Sequence, residues 1–513
     1  MNKSLLSLFV LFAVFSVAQA QDVLESIRKV ENGLSSRIQI GARSPINLEE
    51  RMKSLKVPGL SIAVVKDFKL QWAKGYGVRD FRTGSPVTEE TLFQAASVTK
   101  SISAVVALRL VQDGILDLDK DVNGYLKRWK VPDNEFTRVE KVTLRRLLSH
   151  TAGLSVRGFR GYAEGEAVPT ILQVLDGLPP ANNAPARVEG LPGSGYRYSS
   201  GAYAVLQLLL EDVTGSPLSK LVAEYVFRPA GMTRSTLCPT CEDSLAGQTS
   251  MGHSVDDAGN ITTFKGEAFV QNGSGCCELW TTASDLGRFV IAMQRALRGD
   301  AGSILSRETA RVMITQQKNS PYGLGFFLLR YGDAAYFNHD GGNTGFSARF
   351  IGHPEQGYGF AFMINSDNTS TMLTELTMAV GGAYGWEGIK SIYYKNEAAL
   401  FEDIRRRRKE SPDDPANSDK SLNQLGFELL WTEYRQAAIG VFLLNVEFNP
   451  QSAHWRDSLG EAYEYIDDQA NALKSYREAI ELLDRFPEKN KDYQLSRKAI
   501  TEKIRKLESK KGM

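Results

Sequence analysis

Three short stretches carry side chains whose types and spacing favour acyl transfer. In Ser97-Val-Thr-Lys100 a hydroxyl and an ammonium stand three residues apart, which on a helix puts them one turn apart on the same face. An amine held against a water-free wall loses proton affinity and can draw the proton that an isolated serine keeps. A helix N-terminus stabilises negative charge beside it. A pair this short also arises by chance, as a helix cap beside a surface lysine. The run that follows favours chemistry. Residues 98–112 hold Ile102, Val105, Val106, Leu108, Leu110 and Val111, apolar nearly all round, so the pattern predicts a helix inside a domain. A lysine there must be paired or put to use.

The second stretch, Tyr198-Ser199-Ser200, follows Pro192-Gly193-Ser194-Gly195 and precedes the helical run 202–210. A phenol beside a lysine relays a proton between nucleophile and leaving group; a core aromatic is the equally weighted alternative. The third, His339-Asp340-Gly341-Gly342, lies between Phe337 and Phe346 on a strand that runs into a Gly-rich turn. Small residues there let a substrate backbone lie alongside, with His339 offering a donor or a charge. Successive strand residues face opposite sides, so Asp340 is poorly placed to orient His339 and a Ser-His-Asp triad is not expected.

The elements that must hold these stretches are legible in outline. Residues 59–66 and 70–77 are apolar, partly alternating runs joined by a short turn, which predicts a hairpin. Residues 325–330, 345–352 and 358–365 are short runs divided by Gly, Asp and Asn, read as successive antiparallel strands. Strands at both ends of the region with helices between them predict an α+β fold: an antiparallel sheet flanked by helices, with a helical subdomain.

Taken together and in this order, Ser97-x-x-Lys100, Tyr198-x-Ser200 and His339-x-Gly341 resemble the three motifs of the class C β-lactamase-like serine hydrolases, which include penicillin-binding peptidases, β-lactamases and esterases. Val57-Pro-Gly59, Gly75-Tyr-Gly77, Leu147-Leu-Ser-His-Thr-Ala-Gly-Leu154, Thr281-Thr-Ala-Ser-Asp285-Leu286 and Tyr322-Gly-Leu-Gly325 match as well, so the resemblance spans roughly residues 45–385. It implies Ser97 as nucleophile, Lys100 as its activating partner and Tyr198 as proton relay. It implies Ser200, His339, Gly341 and Gly342 on the substrate side. The oxyanion hole would combine the Ser97 amide with one from the segment 341–343. Two departures count against strong β-lactam hydrolysis. Ser200 stands where the family keeps an Asn amide, and His339 where lactam-cleaving members keep a lysine; imidazole is largely neutral near pH 7.

The 513 residues predict more than one domain. With 61 Lys+Arg against 60 Asp+Glu the net charge is +1, which argues against a nucleic-acid partner. Met1-Asn2-Lys3, an apolar run from Leu5 to Val17 and Ala18-Gln19-Ala20 read as a signal peptide over residues 1–20, hence a secreted or periplasmic protein with no membrane span in the mature chain. Cys238, Cys241, Cys276 and Cys277, with His253 between the pairs, do not repeat a C-x-x-C spacing. Disulfides or free thiols are therefore favoured over zinc. No cofactor is implied.

Residues 21–395 are read as the hydrolase domain and the charged, Pro-containing stretch 396–420 as a linker. Residues 421–513 are read as tetratricopeptide-like repeats. Leu425-Gly426 recurs as Leu459-Gly460, Ala438 as Ala472 and Phe442 as Tyr476, each 34 positions on. The expected function is an exported serine peptidase, of D-amino-acid-peptide or DD-carboxypeptidase type, or an esterase, acting on a small molecule or peptide. The alternatives are a β-lactamase and a repeat scaffold carrying a silent hydrolase domain. Residues 421–510 would serve a protein partner or self-association.

Overall fold

The computed structural model describes residues 20–42, 45–162, 166–237, 248–256, 258–264, 279–331, 334–367, 369–490 and 497–510. The four cysteines and residues 1–19 of the expected signal peptide lie outside them. The chain divides into two compact units, residues 1–34 with 46–389, and residues 35–45 with 390–513.

The first unit is built on one seven-stranded sheet, in the order Ser85–Pro86, Lys69–Asp80, Gly59–Lys66, Gly359–Ile364, Phe346–Gly352, Ala334–Asn343, Phe327–Tyr331. All its pairings are antiparallel. The predicted hairpin is present. Asp67 and Phe68, at its tip, both have positive φ (53° and 61°), the turn geometry that matches strand twist. Gly59–Lys66 is buried from Gly59 to Val65 because both faces of the sheet are covered. Ala63 joins the core under the helices that carry the site. Ile62 and Val64, on the other face, join a second core with the helix Ser370–Tyr384.

Between the first three strands and the last four lies the helical subdomain, including Thr99–Gln112 and Ser200–Thr214. Thr99–Gln112 is buried at 11 positions around its circumference, as its apolar run predicts. The helix Ala283–Arg298 lies close on the sheet at Gly287, where an added Cβ would meet Leu70 Cδ1 at 3.0 Å and Ala63 Cβ at 3.6 Å.

The second unit corrects two expectations. The stretch 396–420 is not an extended linker: Glu397–Glu410 is a helix capped by Asn396, and its Leu400 and Ile404 are buried in this unit's core. The expected hydrolase domain over 21–395 is not one continuous piece either. Residues 20–31 are helical, but Ile38–Ile40 is a strand paired in parallel with Ile392–Tyr394, so part of the expected hydrolase domain belongs to the other unit. Helices Asp419–Leu430, Arg435–Phe448, Ala453–Tyr465, Gln469–Arg485 and Arg497–Lys510 follow. The 34-residue period has a packing counterpart. A Cβ on Gly426 would lie 2.7 Å from the Phe442 ring and one on Gly460 2.5 Å from the Tyr476 ring, so a glycine closes against an aromatic at both of these positions, 34 residues apart.

Candidate active site

Ser97 sits in the 3-10 turn Ala96–Val98 that leads into the buried helix. Ala96 is held at φ +47°, a left-handed conformation that costs a non-glycine residue roughly 1–3 kcal/mol and persists because its surroundings fix it. Thr99 Oγ1 donates to the Ala96 carbonyl at 2.6 Å, the Ala95 amide to the Leu279 carbonyl at 2.8 Å, and Asn343 Nδ2 to Gln94 Oε1 at 2.8 Å. Gly341 completes the clamp: a Cβ there would lie 2.0 Å from the Ala95 carbonyl oxygen, so only glycine lets this strand lie against the turn that carries Ser97. Within the clamp Lys100 Nζ is 3.1 Å from Ser97 Oγ. Lys100 is 0% exposed, while Ser97 is only partly buried and opens onto a cavity of about 480 Å³.

Tyr198 forms another wall of that cavity. Its ring centroid is 5.2 Å from Lys100 Nζ and it stacks on Phe327 at 6.4 Å. Its position follows from the next residues. Ser199 caps the helix Ser200–Thr214 through the Ala202 amide, donates its hydroxyl to the Ser155 carbonyl at 2.6 Å and its amide to His150 Nδ1 at 3.1 Å.

His150 had no role in the sequence reading beyond its place in a matching segment, yet it lies at the centre of this region. It is 0% exposed, with ring centroids of Tyr198, Tyr322 and Tyr203 at 4.3, 4.8 and 5.2 Å. Because Nδ1 accepts an amide N–H, the proton of the neutral ring is on Nε2, which is buried without a hydrogen-bond partner. Burial, then the nearby Lys100, push its pKa well below the usual imidazole value. His150 is a neutral spacer behind Tyr198.

The geometry changes the expected part of His339. Its Nδ1 faces the Asp340 carbonyl at 2.6 Å and its Nε2 the Tyr322 hydroxyl at 2.6 Å. A carbonyl only accepts, so Nδ1 carries the proton and Tyr322 donates to Nε2. Burial, then Lys100, lower its pKa to about 4. His339 borders the cavity, but both ring nitrogens are committed within the protein and it brings no charge. The Tyr322 phenol, driven well above its ordinary pKa chiefly by burial, stays a donor. Asp340 does not orient His339 through its carboxylate, which makes a two-pronged pair with Arg349 at 2.7 and 2.6 Å. Burial would raise that carboxyl, but Arg349 outweighs it and holds it low.

Of the expected substrate-side residues, Ser200, His339 and Gly342 line the cavity; Gly341 is spent on packing. The Ser200 hydroxyl already donates to the Arg157 carbonyl at 3.0 Å. Arg157, Phe159, Tyr196 and Phe327 also line it and were not singled out from sequence; so does Asn343, from the segment expected to supply an oxyanion amide. His253, weighed as a metal ligand, is a buried strut: Nε2 accepts the Phe81 amide at 3.2 Å and Nδ1 meets the Asn365 carbonyl at 2.9 Å. Among the described residues no cluster of three His, Cys, Asp or Glu is placed to hold a metal ion.

This fold, with a buried Lys100 amine against the Ser97 hydroxyl, leads to the class of β-lactamase-fold serine hydrolases. A family model described as Beta-lactamase matches residues 47–383, and the chain belongs to that family. It is similar to an unguisins hydrolase from Aspergillus violaceofuscus, 27% identical, covering 63% of this chain and 60% of that one. Penicillin-binding protein 4 from Amycolatopsis lactamdurans is also 27% identical, over 64% of this chain and 87% of its own length. An esterase from Burkholderia gladioli is 32% identical over 38% of this chain and 50% of its own. Among solved structures, the D-amino acid amidase from Ochrobactrum anthropi shares the fold with a TM-score of 0.56 at 22% identity, over 71% of this chain and 99% of that one.

Proposed function

We propose that the chain is an exported serine hydrolase of peptidase or esterase type that forms an acyl-enzyme on Ser97. The observation that carries this reading is the 3.1 Å approach of the buried Lys100 amine to a hydroxyl that opens onto the cavity. Ser97 Oγ attacks the substrate carbonyl carbon while its proton passes to Lys100. The tetrahedral oxyanion is held by backbone amides of Ser97 and the segment 341–343. When the C–O or C–N bond breaks, the leaving group takes a proton delivered through Tyr198 and Lys100. Water then attacks the acyl-enzyme and restores Ser97. Tyr198 above Lys100 and the clamp on the Ser97 turn support these roles, and the similarity to an esterase supports ester substrates. β-Lactam hydrolysis is the weaker reading, since His339 supplies no fixed positive charge. Export rests on the residue pattern of the first 20 positions. The paired glycine–aromatic contacts of the second unit support tetratricopeptide-like repeats that take a protein partner.

Intact-mass analysis after exposure to a fluorophosphonate, a p-nitrophenyl ester and a penicillin tests the proposal. A covalent adduct with the first two that vanishes in Ser97→Ala is the expected result. No adduct with any of the three would leave a silent domain.

A further inference from the structure

The charges of the cavity wall do not cancel. Arg157 and Asp340 are the charged side chains lining it. The Asp340 carboxylate is occupied on both oxygens by Arg349, and Lys100, behind the wall, faces Ser97. Arg157 is exposed, and among the described residues its guanidinium makes no ion pair or hydrogen bond. A guanidinium presents a planar fork of donors that matches a carboxylate.

Nor is Arg157 a loosely hung surface residue. The three residues 155–157 are laced to the segment that follows Tyr198: Ser199 Oγ donates to the Ser155 carbonyl at 2.6 Å, the Gly201 amide to the Val156 carbonyl at 3.0 Å, and Ser200 Oγ to the Arg157 carbonyl at 3.0 Å. Val156, just before it, is held at φ +63°, a left-handed conformation that a β-branched residue adopts only when its surroundings impose it. The backbone from which the guanidinium springs is thus fixed to the same segment that positions Tyr198.

The geometry points to Arg157 as the residue that binds a carboxylate of the substrate, making this an acyl-transfer site selective for anionic esters or amides. The inference rests on the acyl-enzyme reading of Ser97 and adds the charge of the substrate to it. With His339 neutral, Arg157 is, among the described residues lining the cavity, the cation that decides which substrate charge is welcome.

Three esters test it: 4-nitrophenyl acetate, which is neutral; mono-4-nitrophenyl succinate, with a carboxylate on the acyl side; and 4-acetoxybenzoate, with one on the leaving group. Arg157→Gln should lower kcat/KM for at least one anionic ester by roughly 10- to 100-fold, the range for a charge-assisted hydrogen-bonded pair. It should leave the acetate within about twofold. Arg157→Lys should restore part of the loss, as charge without the fork. The anionic ester that falls identifies which end of the substrate lies at Arg157. A uniform change across all three esters, or none, overturns the inference while leaving Ser97 acylation standing. An enzyme that turns over none of them and takes up no fluorophosphonate overturns both.

Discussion

The two units place their buried polar groups very differently. Around Ser97 the first unit buries an amine and two neutral imidazoles, one with an unpartnered Nε2, and holds Ala96 in a left-handed turn. Each of these opposes stability. The second unit repeats one apolar contact, a glycine closed against an aromatic ring, at Gly426 with Phe442 and at Gly460 with Tyr476. Strain and desolvated polar groups mark the place where the fold sacrifices stability for reactivity, and regular packing marks a scaffold. The contrast makes opposite predictions for substitutions in the two units.

The largest effect belongs to the amine. Lys100→Met should lower kcat for any ester by about 10³-fold or more, as loss of a nucleophile's activating partner does. It should not lower Tm, because a buried amine gives way to an apolar chain of similar length. A fall in Tm with activity retained would break the contrast.

Acid should separate the units next. All five histidines have lowered pKa values, four in the first unit and His454 alone in the second. For such a group the folded state binds fewer protons than the unfolded chain. Its stabilising contribution is full above the unfolded pKa of about 6.5 and is lost as pH falls toward the folded value, which for His339 is about 4. Within that window each such group costs up to about 1.4 kcal/mol per pH unit. Calorimetry from pH 7.5 to 4.5 should show the first unit's transition dropping more steeply than the second's. His339→Gln should flatten that drop, and parallel transitions would count against the assignment.

The smallest effect is in the repeats. Gly460→Val gains a few tenths of a kcal/mol in helix propensity but drives a side chain into the Tyr476 ring, where overpacking costs about 1–3 kcal/mol. The expected net result is a lower second transition by chemical denaturation, with ester hydrolysis unchanged.

Legibility followed sequence distance. The Ser97–Lys100 approach was readable because one helical turn brings the two groups together, and the matched glycine–aromatic contacts because a 34-residue sequence period exposes them. Five of the sheet's seven strands were located within three residues at either end for the same local reason, while Ser85–Pro86 was not read and the strand carrying His339 was given no bounds. The role of His150 was not readable: its neighbours Tyr198, Tyr203 and Tyr322 come from segments brought together only by the fold. His339 was given a donor or a charge toward substrate because nothing near it in sequence showed that Tyr322 would occupy its Nε2. The helix at 397–410 did carry a signal, since Leu400 and Ile404 stand at i, i+4, but the arginine run just beyond them, Arg405–Arg408, was read as linker.

The pairing of Ile38–Ile40 with Ile392–Tyr394 has a practical result for anyone dissecting this polypeptide. Residues 35–45 interrupt the hydrolase chain and are lent to the other unit, so no single cut separates the two. A chain ended after Ile389 keeps the lent strand but loses the edge it pairs with, leaving Ile38 and Ile40 as a bare apolar edge open to association with other copies. A clean excision requires joining Leu34 directly to Ile46, and the bridge already formed by those two residues marks where the splice belongs.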